Sequence, residues 1–94
     1  MPDIMIRVEA EDYAAWLKTH YDHVEDRRGY GMTDGPVYRD IDNPNAALFH
    51  IYVEDLDRAM QWFSTETFKD ATKRATVVGR DFYLAEKQQR RPQA

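Results

Sequence analysis

The 94-residue chain contains no cysteine. Disulfide cross-links and thiolate metal sites are therefore excluded. No apolar run approaches the roughly 20 residues that a membrane-spanning helix needs. The first residues, Met1 to Arg7, show no secretory pattern. The expected location is cytoplasmic, with no membrane partner. Serine occurs once, at Ser64. It sits beside an expected helix break, so a Ser-His-Asp hydrolase fits poorly. The four glycines form neither Gly-x-Gly-x-x-Gly nor a Walker-type loop. That removes the commonest nucleotide sites, and no cofactor is expected. Neither His-x-x-x-His nor His-Glu-x-x-His occurs, so no metal centre is expected. Basic charge is sparse as well. The net charge is −4, and Lys and Arg are scattered apart from Arg27-Arg28 and Arg90-Arg91. Nucleic-acid binders gather basic charge on one face, so no nucleic-acid partner is expected.

What the chain does have is aromatic area and periodicity. Two Trp, six Tyr and four Phe supply much of the apolar surface of one small domain. A domain of this length buries only about 60–65% of the surface its unfolded chain exposes, so it needs a compact fold or a partner. Ile4, Ile6, Val8 and Ala10 alternate with Met5, Arg7 and Glu9, which predicts a strand with one apolar face. Asp12 is placed to cap a helix. Tyr13, Trp16, Leu17, His20, Tyr21 and Val24 then mark one helical stripe, ended by Gly29 and Gly31. Residues 32–36 read as a loop or an irregular strand entry, and Val37–Ile41 as a short strand of ambiguous register. Asp42-Asn43-Pro44-Asn45 carries turn chemistry. Leu48–Val53 is the strongest strand and has large side chains on both faces, so both should be covered. Asp55 caps a second helix through Phe63, and Ser64-Thr65 interrupts it. Phe68, Ala71, Thr72 and Ala75 stripe a further piece. Gly79 is expected to break the chain before a last strand over 82–86. The domain spans 1–87, followed by a polar tail over 88–94.

The order strand, helix, strand, strand, helix, strand predicts an α+β, ferredoxin-like βαββαβ unit. It is a four-stranded antiparallel sheet with both helices on one face. Parity places Met5, Arg7, Glu9, Leu48, His50, Tyr52 and Tyr83 on the other face. That face is too apolar to stay wet in a small monomer. A homodimer paired through the open sheet face is therefore expected.

Several segments resemble the dimeric α+β barrel superfamily, in particular its short cyclase-like and antibiotic-biosynthesis-monooxygenase-like members. They are Asp12-Tyr13-Ala14-Ala15-Trp16, then His23 with Arg27 and Gly31, then Tyr38 to Asn45, and Val53 to Ala59. The resemblance covers about residues 4–86. It implies a dimeric barrel and a superfamily that hosts monooxygenases, isomerases, cyclases and haem-degrading enzymes. It transfers no catalytic residue, because fold does not imply function.

The candidate catalytic residue is His50, mid-strand on the open face, since histidine titrates near neutrality and serves as acid or base. Arg7, Tyr52 and Tyr83 are the candidate ligand-binding neighbours. Together they make a polar cluster with aromatic walls, suited to a small-molecule ligand. One reading is a cofactor-independent enzyme acting on a small apolar or aromatic molecule. The other is a non-catalytic binding or structural dimer in which these residues satisfy one another across the interface. The enzyme reading calls for a cavity beside His50. His20 is expected to be a core histidine bonded to backbone or tyrosine, and His23 a surface residue, with a pocket mouth as its alternative place.

Overall fold

A computed structural model describes residues 2–86. The expected tail, 88–94, lies outside the described residues. The elements run β1 (Pro2–Ala10), α1 (Tyr13–Asp22), α2 (Val24–Gly29), β2 (Met32–Arg39), β3 (Ala46–Val53), α3 (Leu56–Trp62), α4 (Glu66–Arg74) and β4 (Val77–Glu86). The sheet order is β2-β3-β1-β4, with every neighbouring pair antiparallel. This is the ferredoxin-like βαββαβ fold, with each helical segment broken in two. None of the described helices is long and apolar enough to cross a membrane.

Local chemistry starts α1, α3 and α4 with side-chain caps; α2, which follows His23, has none. The Asp12 carboxylate accepts from the Ala15 amide at 3.1 Å, and Asp55 accepts from the Arg58 amide at 3.3 Å. The Thr65 hydroxyl accepts from the Phe68 amide at 3.1 Å, so the break at Ser64-Thr65 restarts a helix. Period-two alternation then decides the sheet faces. Ile4, Ile6 and Val8 pair with Ile51, Phe49 and Ala47, and all six are buried beneath the helices. Trp16, Ala59, Trp62 and Ala75 close this core from the helical side.

Residues 32–36, expected as a loop or an irregular strand entry, are the latter. They extend β2, which pairs with β3 on both sides of a bulge between Asp34 and Val37. Gly35 explains the bulge. A Cβ at this position would stand 2.8 Å from the His50 carbonyl oxygen, so the strands approach this closely only without a side chain. Gly79 does not break the last strand. β4 runs from Val77, and Gly79 lies opposite Glu9. The long β1 supplies ladder partners that outweigh one glycine. The first helix is not continuous either, since His23 separates α1 from α2.

Thr76 carries the one positive φ among the described non-glycine residues, at 57°. That conformation is strained for a β-branched side chain. The surroundings hold it on three sides. Its amide donates to Lys73, its carbonyl accepts from Glu11, and its hydroxyl accepts from the Asp12 amide at 2.9 Å. The residue thereby ties the start of β4 to the start of α1.

Candidate functional site

A half-open cavity of about 60 Å³ lies between the sheet and the helices. Its apolar walls include Trp16, Phe49, Trp62 and Phe68, and its polar groups include His20, His23, Arg27 and Arg80. Helical spacing brings these groups together. His20 and Arg27 are seven residues apart, so they return to the same side despite the break at His23.

Arg27 is 6% exposed and forms the buried centre of the site. Its Nε donates to Asp34 Oδ1 at 2.7 Å, and its Nη2 donates to Asp34 Oδ2 at 2.6 Å. Nη2 also donates to the His20 carbonyl. This bidentate pair fastens the end of α1 and all of α2 to β2. It also consumes the charge of both partners.

His20 is 7% exposed. Its ring stacks on Trp16 at 5.1 Å and 18°, and meets Phe49 at 4.7 Å. Neither expected bond forms. Among the described residues its ring nitrogens make no hydrogen bond, and Nε2 stands 3.8 Å from Asp34 Oδ2. Burial first, and then the neighbouring Arg27 charge, push the imidazole pKa down to about 4, while Asp34 acts against them. The ring is therefore neutral at pH 7. It presents one donor and one acceptor in an apolar wall.

His23 takes the alternative place, at the cavity rather than on the open surface. Its side chain is largely covered, lines the cavity and tilts against Trp62. Arg74 Nη2 lies 2.9 Å from its Nε2, and Asp26 Oδ2 lies 2.8 Å from its Nδ1. An arginine only donates, so Nε2 accepts, and the ring proton faces Asp26 from Nδ1.

The residues singled out by sequence stand on the other side of the sheet. Met5 pairs directly with both His50 and Tyr83, and Arg7 pairs with Leu48, one diagonal step from His50. The His50 ring packs on Tyr52 at 4.2 Å. Its Nε2 is buried without an aligned hydrogen bond, although Asp3 Oδ2 lies 3.2 Å away. Arg7 reaches Asp40 at 3.8 Å, while Tyr52 and Tyr83 are 48% and 54% exposed. None of the four lines the helix-side cavity.

Three features of the cavity were hidden in the sequence. Asp34 falls in the segment read as a loop or an irregular strand entry, so its partnership with Arg27 left no signal. His20 carried a stripe position that suits a core residue equally well. Arg80 shares parity with Phe82 and would have been assigned to the core face had β4 been started at Val77.

Sequence comparison is silent: no family model and no curated protein matches the chain. Solved structures do match over the whole fold. SnoaB from Streptomyces nogalater, described as a cofactor-independent oxygenase, superposes with a TM-score of 0.75 at 14% identity. The match covers 98% of this chain and 97% of that one. A candidate antibiotic biosynthesis monooxygenase from Deinococcus radiodurans gives 0.73 at 14% identity, covering 100% and 99%. A NIPSNAP domain protein from Burkholderia xenovorans gives 0.69 at 12% identity, covering 99% and 100%. The chain thus shares the ferredoxin-like fold of these solved proteins, antibiotic-biosynthesis-monooxygenase-like ones among them.

Proposed function

We propose that this chain is a homodimer that binds a small apolar or aromatic molecule in the helix-side cavity. It acts there as a cofactor-independent enzyme of monooxygenase, isomerase or cyclase type. His20 carries the reading. A neutral imidazole that lines the cavity and makes no hydrogen bond among the described residues leaves its ring nitrogens for something in the cavity to satisfy. A ligand hydroxyl or carbonyl in the cavity would do so. A group with so low a pKa is a weak base, so His20 orients the ligand oxygen rather than removing its proton. The oxygenase class rests on the fold shared with SnoaB.

At about 60 Å³ the cavity is smaller than the ~150 Å³ that holds benzene in a closed apolar void. The ligand therefore inserts one ring edge or a short chain and leaves the remainder at the mouth. Phenol is a suitable probe, because Trp16 and Trp62 report on the cavity by fluorescence. Saturable quenching by phenol is expected, and Ala71→Leu should abolish it by filling the space beside α4. Quenching that Ala71→Leu leaves untouched would place the probe elsewhere and remove the reading.

The open sheet face is the proposed pairing surface. It carries Leu48, Tyr52, Tyr83 and Tyr38, all exposed in the single chain. A two-fold axis would set this face against its copy. Light scattering during size exclusion at micromolar concentration should give about twice the 11.1 kDa chain mass. A clean monomer would end the dimer reading. One observation favours a second site at that seam. The buried, unaligned Nε2 of His50 leaves it open to act as acid or base there, with Arg7, Tyr52 and Tyr83 around a ligand.

A further inference from the structure

Resting on the ligand reading of the cavity, we infer that its occupant carries a carboxylate and that Arg80 at the rim binds it. The apolar body of the occupant then lies against the aromatic wall.

The inference comes from the charges around the cavity. Arg27 and Asp34 neutralise each other in a bidentate pair. His20 is neutral at pH 7. His23 is held between Arg74 on one nitrogen and Asp26 on the other, so the charges beside it offset. Arg80 is different. Among the described residues it forms no ion pair. Its Nη2 donates to the Thr72 hydroxyl at 3.3 Å, and its guanidinium lies 4.9 Å from the centre of the Phe68 ring. Arg80 therefore sets the sign of the cavity.

Sheet register places the residue there. Arg80 pairs with Val8 of β1 and so shares the helix-side face with Phe82. A guanidinium offers five N–H donors in a planar fork. Thr72 engages one, and its own hydroxyl proton is already donated to the Phe68 carbonyl. The remaining donors match a planar carboxylate better than a single hydroxyl. Arg80 is exposed as a whole residue, yet crowding desolvates its head enough to lower its pKa from the ordinary arginine value. A bound anion would offset that cost.

Benzoate and benzamide separate charge from shape, since they share a ring and differ at the acidic oxygen. Each is titrated against the protein with tryptophan fluorescence as the signal. Benzoate is expected to bind about tenfold more tightly than benzamide, as for one charge-assisted hydrogen-bonded contact. Arg80→Gln should bring the two to parity without changing benzamide. Arg80→Lys should keep part of the preference, and Lys73→Gln, an exposed α4 cation outside the cavity, all of it. Equal affinities in the unaltered protein overturn the inference while phenol binding still supports the cavity. A benzoate preference that survives Arg80→Gln also overturns it. Failure of phenol, benzoate and benzamide together removes the ligand reading itself.

Discussion

Replacing Arg27 with alanine is expected to destabilise the fold by about 3–5 kcal/mol, the cost of leaving a partly buried charge without its partner. Small domains have only about 5–15 kcal/mol in total, so this single change removes a large share. The reason is geometric. Arg27 supplies two bonds to Asp34 and one to the His20 carbonyl. Truncation strands the Asp34 carboxylate and frees the end of α1 at once. Urea unfolding followed by far-UV circular dichroism measures the loss. Replacing both partners with apolar residues, Arg27→Met with Asp34→Leu, should recover much of it, because no charge is then left unpaired. A loss below about 1 kcal/mol in Arg27→Ala would mean that the pair is solvated in solution.

The second large effect is a loss of stability in mild acid, carried by His20. Its folded pKa is pushed down to about 4 from an unfolded value of 6.5. Between these values the unfolded chain binds the proton and the folded protein does not. Stability is therefore fully present above about pH 6.5 and declines as pH falls toward 4. At 1.36 kcal/mol per pKa unit, the full decline attributable to His20 is about 3 kcal/mol. Other groups titrate in the same range, so the informative quantity is the difference between the native protein and His20→Phe. That variant keeps the ring stacked on Trp16 and Phe49 but has no proton to bind. The difference should grow steadily from pH 6.5 to 4. A flat difference would show that His20 is solvated and protonates as freely folded as unfolded.

Much of the fold was legible because its signals are local. The caps at Asp12, Asp55 and Thr65 need only a few residues of chain to act. The alternation of Ile4, Ile6 and Val8 places Arg7 on the opposite face without knowledge of any other strand. The errors and the open reading fell where distant partners decided the outcome. Gly79 is a breaker by propensity, but β1 pairs it into the ladder. Residues 32–36 read as either a loop or an irregular strand, and β3 decides for the strand by giving them partners on either side of the Gly35 bulge.

The site follows the same division. The sequence by itself determined the ferredoxin-like order of elements, the two faces of the sheet, and the placement of His50, Tyr52, Arg7 and Tyr83 on the open one. These follow from side-chain parity, which is a property of each strand alone. Only the tertiary structure decided that a cavity remains on the helical side and that His20, His23, Arg27 and Arg80 meet around it. A cavity is the volume left when layers pack, and no single segment encodes it. The Arg27–Asp34 pair shows the same dependence. Its charges stand seven residues apart in sequence, and a helix break before Arg27 and a strand bulge after Asp34 bring them together in the folded chain.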